Sequence, residues 1–192
     1  RLTPGKIAMT LKKLVILDRD GVINVDSDAF IKSPDEWIAI PGSLEAIARL
    51  NQAGYRVVIA SNQSGIGRGL FDMATLNAMH AKMQRAAAAV GGRIDAVFFC
   101  PHTADDQCEC RKPKPGLLQM IMDRYEIEPS ATPVVGDALR DLEAGAALGF
   151  DLHLVLTGKG AKTLAAGGLP EGTKVHDDLK HFALDYLAER DE

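Results

Sequence analysis

The sequence contains no apolar run near the roughly 20 residues needed to cross a bilayer. Close to the N-terminus, the run Leu14 to Leu17 stops at Asp18, too short for the core of a secretion signal. Basic residues are not in excess. The 22 Lys and Arg against 26 Asp and Glu leave a net charge of −4, which argues against a general binder of nucleic acid or of anionic membranes. Three cysteines, an odd number, fit no complete disulfide set. Internal repeats, low-complexity tracts and dividing linkers are all missing, and the balance of glycine, proline and charge excludes collagen, coiled coil and wholesale disorder. These absences lead to the expectation of a cytoplasmic protein. Residues 1–8, ahead of Met9, read as an expression remnant.

What is present suits one domain. At about 150 residues per domain, 192 residues with 46% apolar content are enough to bury about 70% of the unfolded surface without disulfides. Short β-branched runs alternate with helical stretches. Strands are expected at Leu14–Leu17, Arg56–Ala60, Ala96–Phe99, from Pro133, and at Leu152–Leu156. Helices are expected from Ser43 (as its own cap) to Ala53, from an Asp72 cap to about Val90, from Gly116 to about Tyr125, from Ala138 to Leu148, and from Lys180 to the C-terminus with Asp177-Asp178 capping. Such alternation specifies an α/β fold, a parallel sheet with helices on both faces. Ligands of such sheets sit beyond the carboxyl ends of the strands, so the residues following each strand are the ones to inspect.

Asp18 and Asp20 follow the first strand, and Asp137 follows the fourth. In extended chain, residues i and i+2 point the same way. Two carboxylates so placed repel unless a cation lies between them or one is protonated. Three hard oxygen donors at one sheet edge suit Mg²⁺, which keeps waters for a substrate phosphate; Asp18 and Asp20 equally suit a capped turn before Gly21. The segment Ser61-Asn-Gln-Ser-Gly-Ile-Gly-Arg-Gly69 has the hydroxyl and backbone N–H groups to cradle a phosphate oxygen, or it is a plain turn. Cys100, His102, Cys108 and Cys110 lie within eleven residues and hold every cysteine in the chain. Zn²⁺ takes four N/S ligands in a tetrahedron, and a filled Cys₃His set is a closed structural site. Arg111 and Lys112 follow at once, and prolines could aim them inward at a phosphoryl group. His80, His153, His176 and His181 read as surface or packing residues, as do Met73, Met79, Met83 and Trp37.

Asp18-Arg-Asp-Gly-Val22, Ser61, Lys112, and Gly136-Asp137 with Asp141 stand in the order and strand-end positions of four motifs. The chain thereby resembles the haloacid dehalogenase superfamily of phosphotransferases. With Ser61-Asn-Gln-Ser-Gly65, the Cys/His loop and Arg111-Lys-Pro-x-Pro-Gly116, it is similar to a narrower group of phosphatases that act on a heptose bisphosphate or, alternatively, on histidinol phosphate. The resemblance implies a Rossmann-like three-layer sandwich of the capless kind, a single domain over 1–192 with a zinc loop at 100–110. It implies Asp18 as nucleophile, Asp20 as acid and base, and Ser61 and Lys112 holding the phosphoryl oxygens. Mg²⁺ would bind to the Asp18 carboxylate, the Asp20 backbone carbonyl and Asp137, with Asp141 in its outer shell. Substrate contacts are implied for Asp26, Asn62, Gln63, Ser64 and Arg111, and structural Zn²⁺ for Cys100, His102, Cys108 and Cys110. Only about twenty residues separate Asp20 from the helix at Ser43, too few for a folded cap, so the zinc loop and Asp26-Ser-Asp-Ala-Phe30 are expected to wall the pocket. The implied enzyme is a monomer acting on a small sugar phosphate, with no nucleic-acid or membrane partner, in the supply of ADP-heptose for lipopolysaccharide. A polynucleotide 3′-phosphatase would need a basic stripe that the chain lacks. A zinc-stabilised binding module would be expected to have lost Asp18, Asp20 or Asp137.

Overall fold

The computed structural model describes residues 12–190; the expectation about residues 1–8 lies outside them. Six strands form one parallel sheet: β1 (Leu14–Leu17), β2 (Arg56–Asn62), β3 (Ala96–Cys100), β4 (Pro133–Gly136), β5 (Asp151–Val155) and β6 (Lys174–His176). Their spatial order is β3-β2-β1-β4-β5-β6. The order reverses between β1 and β4, where the crossover connections diverge to opposite sides and leave a crevice at the carboxyl ends of the strands. Ile16 and Leu17 pair with Val134 and Val135 there, so Asp18 and Asp137 flank that crevice.

β1 is buried along its whole length, as expected of a central strand covered on both faces. Its alternate residues divide the core. Val15 and Leu17 face α1 (Ser43–Gln52), α2 (Met73–Ala89) and α6 (Leu179–Arg190), whereas Leu14 and Ile16 face α3 (Gly116–Arg124) and α4 (Leu139–Ala147). The result is the expected three layers. Met79, Met83 and Trp37 pack into the first layer, while Met73 is exposed. Burying a side chain such as Met79 stabilises by roughly 1.5–3 kcal/mol.

Several boundaries differ from the sequence reading. The cap of α1 is Gly42, in a left-handed conformation (φ 86°), not Ser43. The Ser43 hydroxyl instead donates to the Val22 carbonyl at 2.9 Å, tying the helix to the turn after β1. β5 starts and ends one residue earlier than expected. Two elements were not anticipated, the edge strand β6 and α5 (Gly160–Ala166). Both are short and mostly exposed, so neither shows an apolar period. The expected caps of α2 and α6 are present: Asp72 accepts from the Thr75 N–H and Asp178 from the His181 N–H, each worth about 1 kcal/mol. Between β1 and α1 the chain forms a 3₁₀ turn at Pro34–Glu36 and isolated bridges from Asn24 to Asp20 and Ala39.

Candidate active site

β1 ends at Leu17, and the chain turns immediately. The Arg19 carbonyl accepts from the N–H groups of Val22, Ile23 and Asn24. This turn breaks the i, i+2 alternation, so the two carboxylates, although both line one cavity, take different partners. Asp18 stays beside β4, its N–H donating to the Val135 carbonyl at 3.0 Å. Asp20 turns to Arg19, whose Nη2 lies 2.8 Å from its Oδ1. The side chains that converge are therefore Asp18, Asp137 and Asp141, with oxygens within 4.8 Å of one another; Asp20 brings no side-chain oxygen to that group. The Asp20 carbonyl accepts no hydrogen bond among the described residues.

All three converging carboxylates are buried. Lys112, itself buried, places Nζ 3.2 Å from Asp18 Oδ1 and 2.5 Å from Asp141 Oδ1, and donates to the Ala60 carbonyl. Burial would lower the ammonium, but Asp141 and Asp18 hold it above its ordinary value. Burial, then Asp141, pushes Asp18 up to about 6 against the pull of Lys112. Burial, then Asp18 and Asp141, pushes Asp137 up to about 8. Asp137 Oδ2 accepts from the Lys159 N–H at 2.9 Å. Gly21 (φ 84°) and Gly158 (φ 56°) pass so close that a Cβ on either would collide with this carboxylate. Three buried carboxylates against one contacting ammonium leave excess negative charge, and the donors are all hard oxygens. That set fits a Mg²⁺ ion.

A prediction follows for the metal-free protein. With Asp18 and Asp137 raised above the usual carboxylate value of 3.8 to about 6 and about 8, the folded state holds more protons than the unfolded chain between those limits. Stability therefore falls as pH rises through that window. A divalent cation competes with those protons, so the melting-temperature gain from Mg²⁺ should be larger at about pH 8.5 than at about pH 5.5. Melts with chelator and with Mg²⁺ at both values check this; an equal gain would contradict it.

Above these groups opens a cavity of about 230 Å³ lined by Asp18, Asp20, Asp26, Ser27, Asp28, Phe30, Asn62, Ser64, Arg68, Arg111, Lys112, Arg140 and Lys159. A second cavity of about 460 Å³ shares Asp26, Ser27, Asp28 and Lys159 but lacks Asp18, so the chemistry belongs to the smaller one. Ser61 and Gln63 are buried and outside the lining. Gln63 Nε2 donates to Ser61 Oγ at 2.8 Å and to Asp20 Oδ2 at 3.2 Å, so Gln63 works within the protein rather than facing the cavity. Asn62 exchanges two hydrogen bonds with the Lys112 backbone, 3.1 and 3.0 Å. Asp26 pairs with Lys159 at 3.4 Å. Arg140 and Lys159 were not singled out in the sequence. The only signal for Arg140 was its place three residues past Asp137, at the start of a strand-end helix.

Cys100, His102, Cys108 and Cys110 come together as the spacing suggested, their ligand atoms within 4.8 Å of one another. Cys100 Sγ lies 3.5 Å from His102 Nδ1, 3.6 Å from Cys108 Sγ and 2.8 Å from Cys110 Sγ, and all three thiols are unbridged. A tetrahedron with zinc–sulfur bonds near 2.3 Å has edges of about 3.8 Å, so three soft donors and one imidazole fit a closed Zn²⁺ site with modest expansion. Burial and the Cys110 hydrogen bond push Cys100 up to about 12. At Cys108 burial is outweighed by the Arg111 N–H and thiol hydrogen bonds, which bring it to about 6. Residues 100–110 do not line the Asp18 cavity, contrary to expectation; Arg111 and Lys112, just beyond, do.

A family model described as haloacid dehalogenase-like hydrolase matches residues 10–149. A relative from Bordetella bronchiseptica, named D-glycero-beta-D-manno-heptose-1,7-bisphosphate 7-phosphatase, is 62% identical over 177 residues, 92% of this chain and 99% of its own. Its crystal structure, with magnesium and phosphate, superposes with a TM-score of 0.91 over the same shares of the two chains. The D,D-heptose 1,7-bisphosphate phosphatase of Burkholderia thailandensis is 71% identical, covering 92% of this chain and 99% of its own, with a TM-score of 0.76. A relative from Neisseria meningitidis serogroup A, named like that of Bordetella bronchiseptica, is 56% identical, over 89% of this chain and 92% of its own.

Proposed function

This chain belongs to the haloacid dehalogenase-like hydrolase family, and from that membership we propose that it removes the 7-phosphate of D-glycero-D-manno-heptose 1,7-bisphosphate, in the supply of ADP-heptose for lipopolysaccharide. Asp18 attacks phosphorus, forming the aspartyl–phosphate bond as the bond from phosphorus to the sugar oxygen breaks. Asp20 gives its proton to that oxygen, then takes one from the water that cleaves the aspartyl-phosphate. Lys112 holds the phosphoryl oxygens from the cavity lining; Ser61 lies buried behind that lining, and its hydroxyl would join them by leaving the Asn62 carbonyl. Asp18, Asp137 and the Asp20 carbonyl would hold Mg²⁺, which would supply positive charge against carboxylate and phosphate as they meet, and the four loop residues would hold Zn²⁺, which would fix the segment carrying Arg111. The enzyme is a single-domain monomer, and its loops rather than a cap set specificity.

The observation that carries this reading is the charge of the cavity. Five cations, Arg68, Arg111, Lys112, Arg140 and Lys159, face four carboxylates, Asp18, Asp20, Asp26 and Asp28, so the cations exceed what one phosphate requires even where carboxylates pair with some of them. Histidinol phosphate would ask for free carboxylates to meet its ammonium group; Asp26 is already paired with Lys159, which leaves Asp28 as the lining carboxylate without an ion pair among the described residues. Arg140 makes no ion pair within 4.0 Å among the described residues, and its buried Nε has no hydrogen-bond partner. It is therefore available to the second phosphate. A charged hydrogen bond of this kind contributes roughly 1.5–3 kcal/mol. Arg140→Gln should accordingly lower kcat/KM for the bisphosphate by about 10- to 100-fold, and that for heptose 7-phosphate by less than about threefold. Steady-state phosphate release decides it. Equal losses on both sugars would remove Arg140 from this role, and far better turnover of histidinol phosphate by the unaltered enzyme would overturn the substrate assignment.

A further inference from the structure

Arg19, between the two motif aspartates, is completely buried. Its guanidinium makes contacts in three directions. Nε and Nη2 lie 3.0 and 2.8 Å from Asp20 Oδ1, Nη2 reaches Gln63 Oε1 at 3.4 Å, and Nη1 lies 3.1 Å from His80 Nε2. Asp20 Oδ1 also accepts from Asn24 Nδ2 at 2.9 Å. That oxygen therefore accepts two hydrogen bonds, with Nη2 beside it as an ion pair, whereas Oδ2 receives only Gln63 Nε2 at 3.2 Å.

His80 comes from α2, on the face that carries Leu76, Met83 and Ala87 inward. An arginine is protonated throughout the working pH range and offers only donors, so His80 Nε2 must accept, which puts the imidazole proton on Nδ1. Burial, then Arg19, holds His80 down to about 4, so the ring stays neutral and keeps its lone pair.

We propose that His80 is a positioning residue for the phosphatase reaction: by accepting from Arg19 it fixes the guanidinium so that Asp20 Oδ1 is fully occupied and Oδ2 is the oxygen that gives and receives the proton. Without that acceptor the guanidinium rotates toward other partners, Oδ1 loses donors, and the proton distributes over both oxygens. Asp20 remains in place but is aimed less well. The inference rests on the reading of Asp20 as the acid given above.

Leaving-group dependence separates positioning from a structural role. A sugar alkoxide needs a proton to depart, and p-nitrophenolate does not. His80→Leu should lower kcat/KM for the heptose bisphosphate by about tenfold, and that for p-nitrophenyl phosphate by less than about twofold. His80→Gln, whose amide oxygen can accept from Arg19, should restore the sugar activity to within about threefold of the unaltered enzyme. Arg19→Lys, which keeps the buried charge and loses the fork, should reproduce the selective loss, and it supplies the test if His80→Leu does not fold. Equal losses on the two substrates, or no loss in either His80→Leu or Arg19→Lys, would overturn the inference. Asp20→Asn tests the underlying reading separately. If it shows the selective loss and the His80 and Arg19 variants do not, His80 alone is wrong; if it shows none, the assignment of the acid is wrong.

Discussion

Replacing Asp18 with Asn is expected to lower kcat on the order of 10⁴-fold or more while leaving a folded protein. The amide nearly matches the carboxylate in shape but cannot form the acyl phosphate that the reaction requires. Stability should not suffer, because Asp18 is buried beside two further carboxylates, and its own proton affinity and that of Asp137 are raised there. Removing its charge relieves repulsion, and Lys112 keeps its closer partner Asp141 at 2.5 Å. Turnover and a thermal melt, measured on the same preparation, decide the matter. Activity within about tenfold of the unaltered enzyme would mean that another group attacks phosphorus.

The second large effect concerns the Cys/His loop. Cys108→Ser removes one soft donor from the set of four and should reduce bound zinc from one per chain to almost none after desalting. Free metal at a thousandfold over its Kd stabilises by about 4 kcal/mol. A chain of this size gains roughly 2–4 °C per kcal/mol, so the melting temperature should drop by about 10 °C. The consequence for activity is indirect. Arg111 Nη1 reaches the His102 carbonyl at 3.4 Å, and Lys114 Nζ donates to the Cys108 carbonyl at 2.9 Å. Loosening the loop therefore disturbs Arg111, while the Asn62 amide still holds the Lys112 backbone. Substrate affinity should weaken more than kcat. Metal analysis and melting curves check the first part; a variant that keeps its zinc or its melting temperature would refute the ligand assignment.

The parts of this molecule that are local and periodic were readable in the sequence. β1 is a continuous apolar run because it is covered on both faces, and α2 announces itself through the Asp72 cap. The clustering of Cys100, His102, Cys108 and Cys110 was readable because soft donors in one short stretch have few other uses. Short, exposed elements such as α5 and β6 were not, since nothing in their apolar pattern marks them. The pairing of Asp18 with Asp141 rather than with Asp20 was also hidden. It depends on the turn that begins at Arg19, and a turn's geometry is fixed by the carbonyl it wraps. His80 looked like a packing residue because its partner, Arg19, lies 61 positions away in sequence. Contacts of that separation follow only from sheet order and helix placement.

The direct test of the central claim is chemical trapping of the intermediate. A turnover quenched with borohydride reduces an acyl phosphate to the alcohol, which converts an aspartate into homoserine, and peptide mass spectrometry then locates it. The account predicts homoserine at position 18 in the presence of Mg²⁺ and substrate, and none in Asp18→Asn. Reduction at another carboxylate, or at none while phosphate is released, would contradict it.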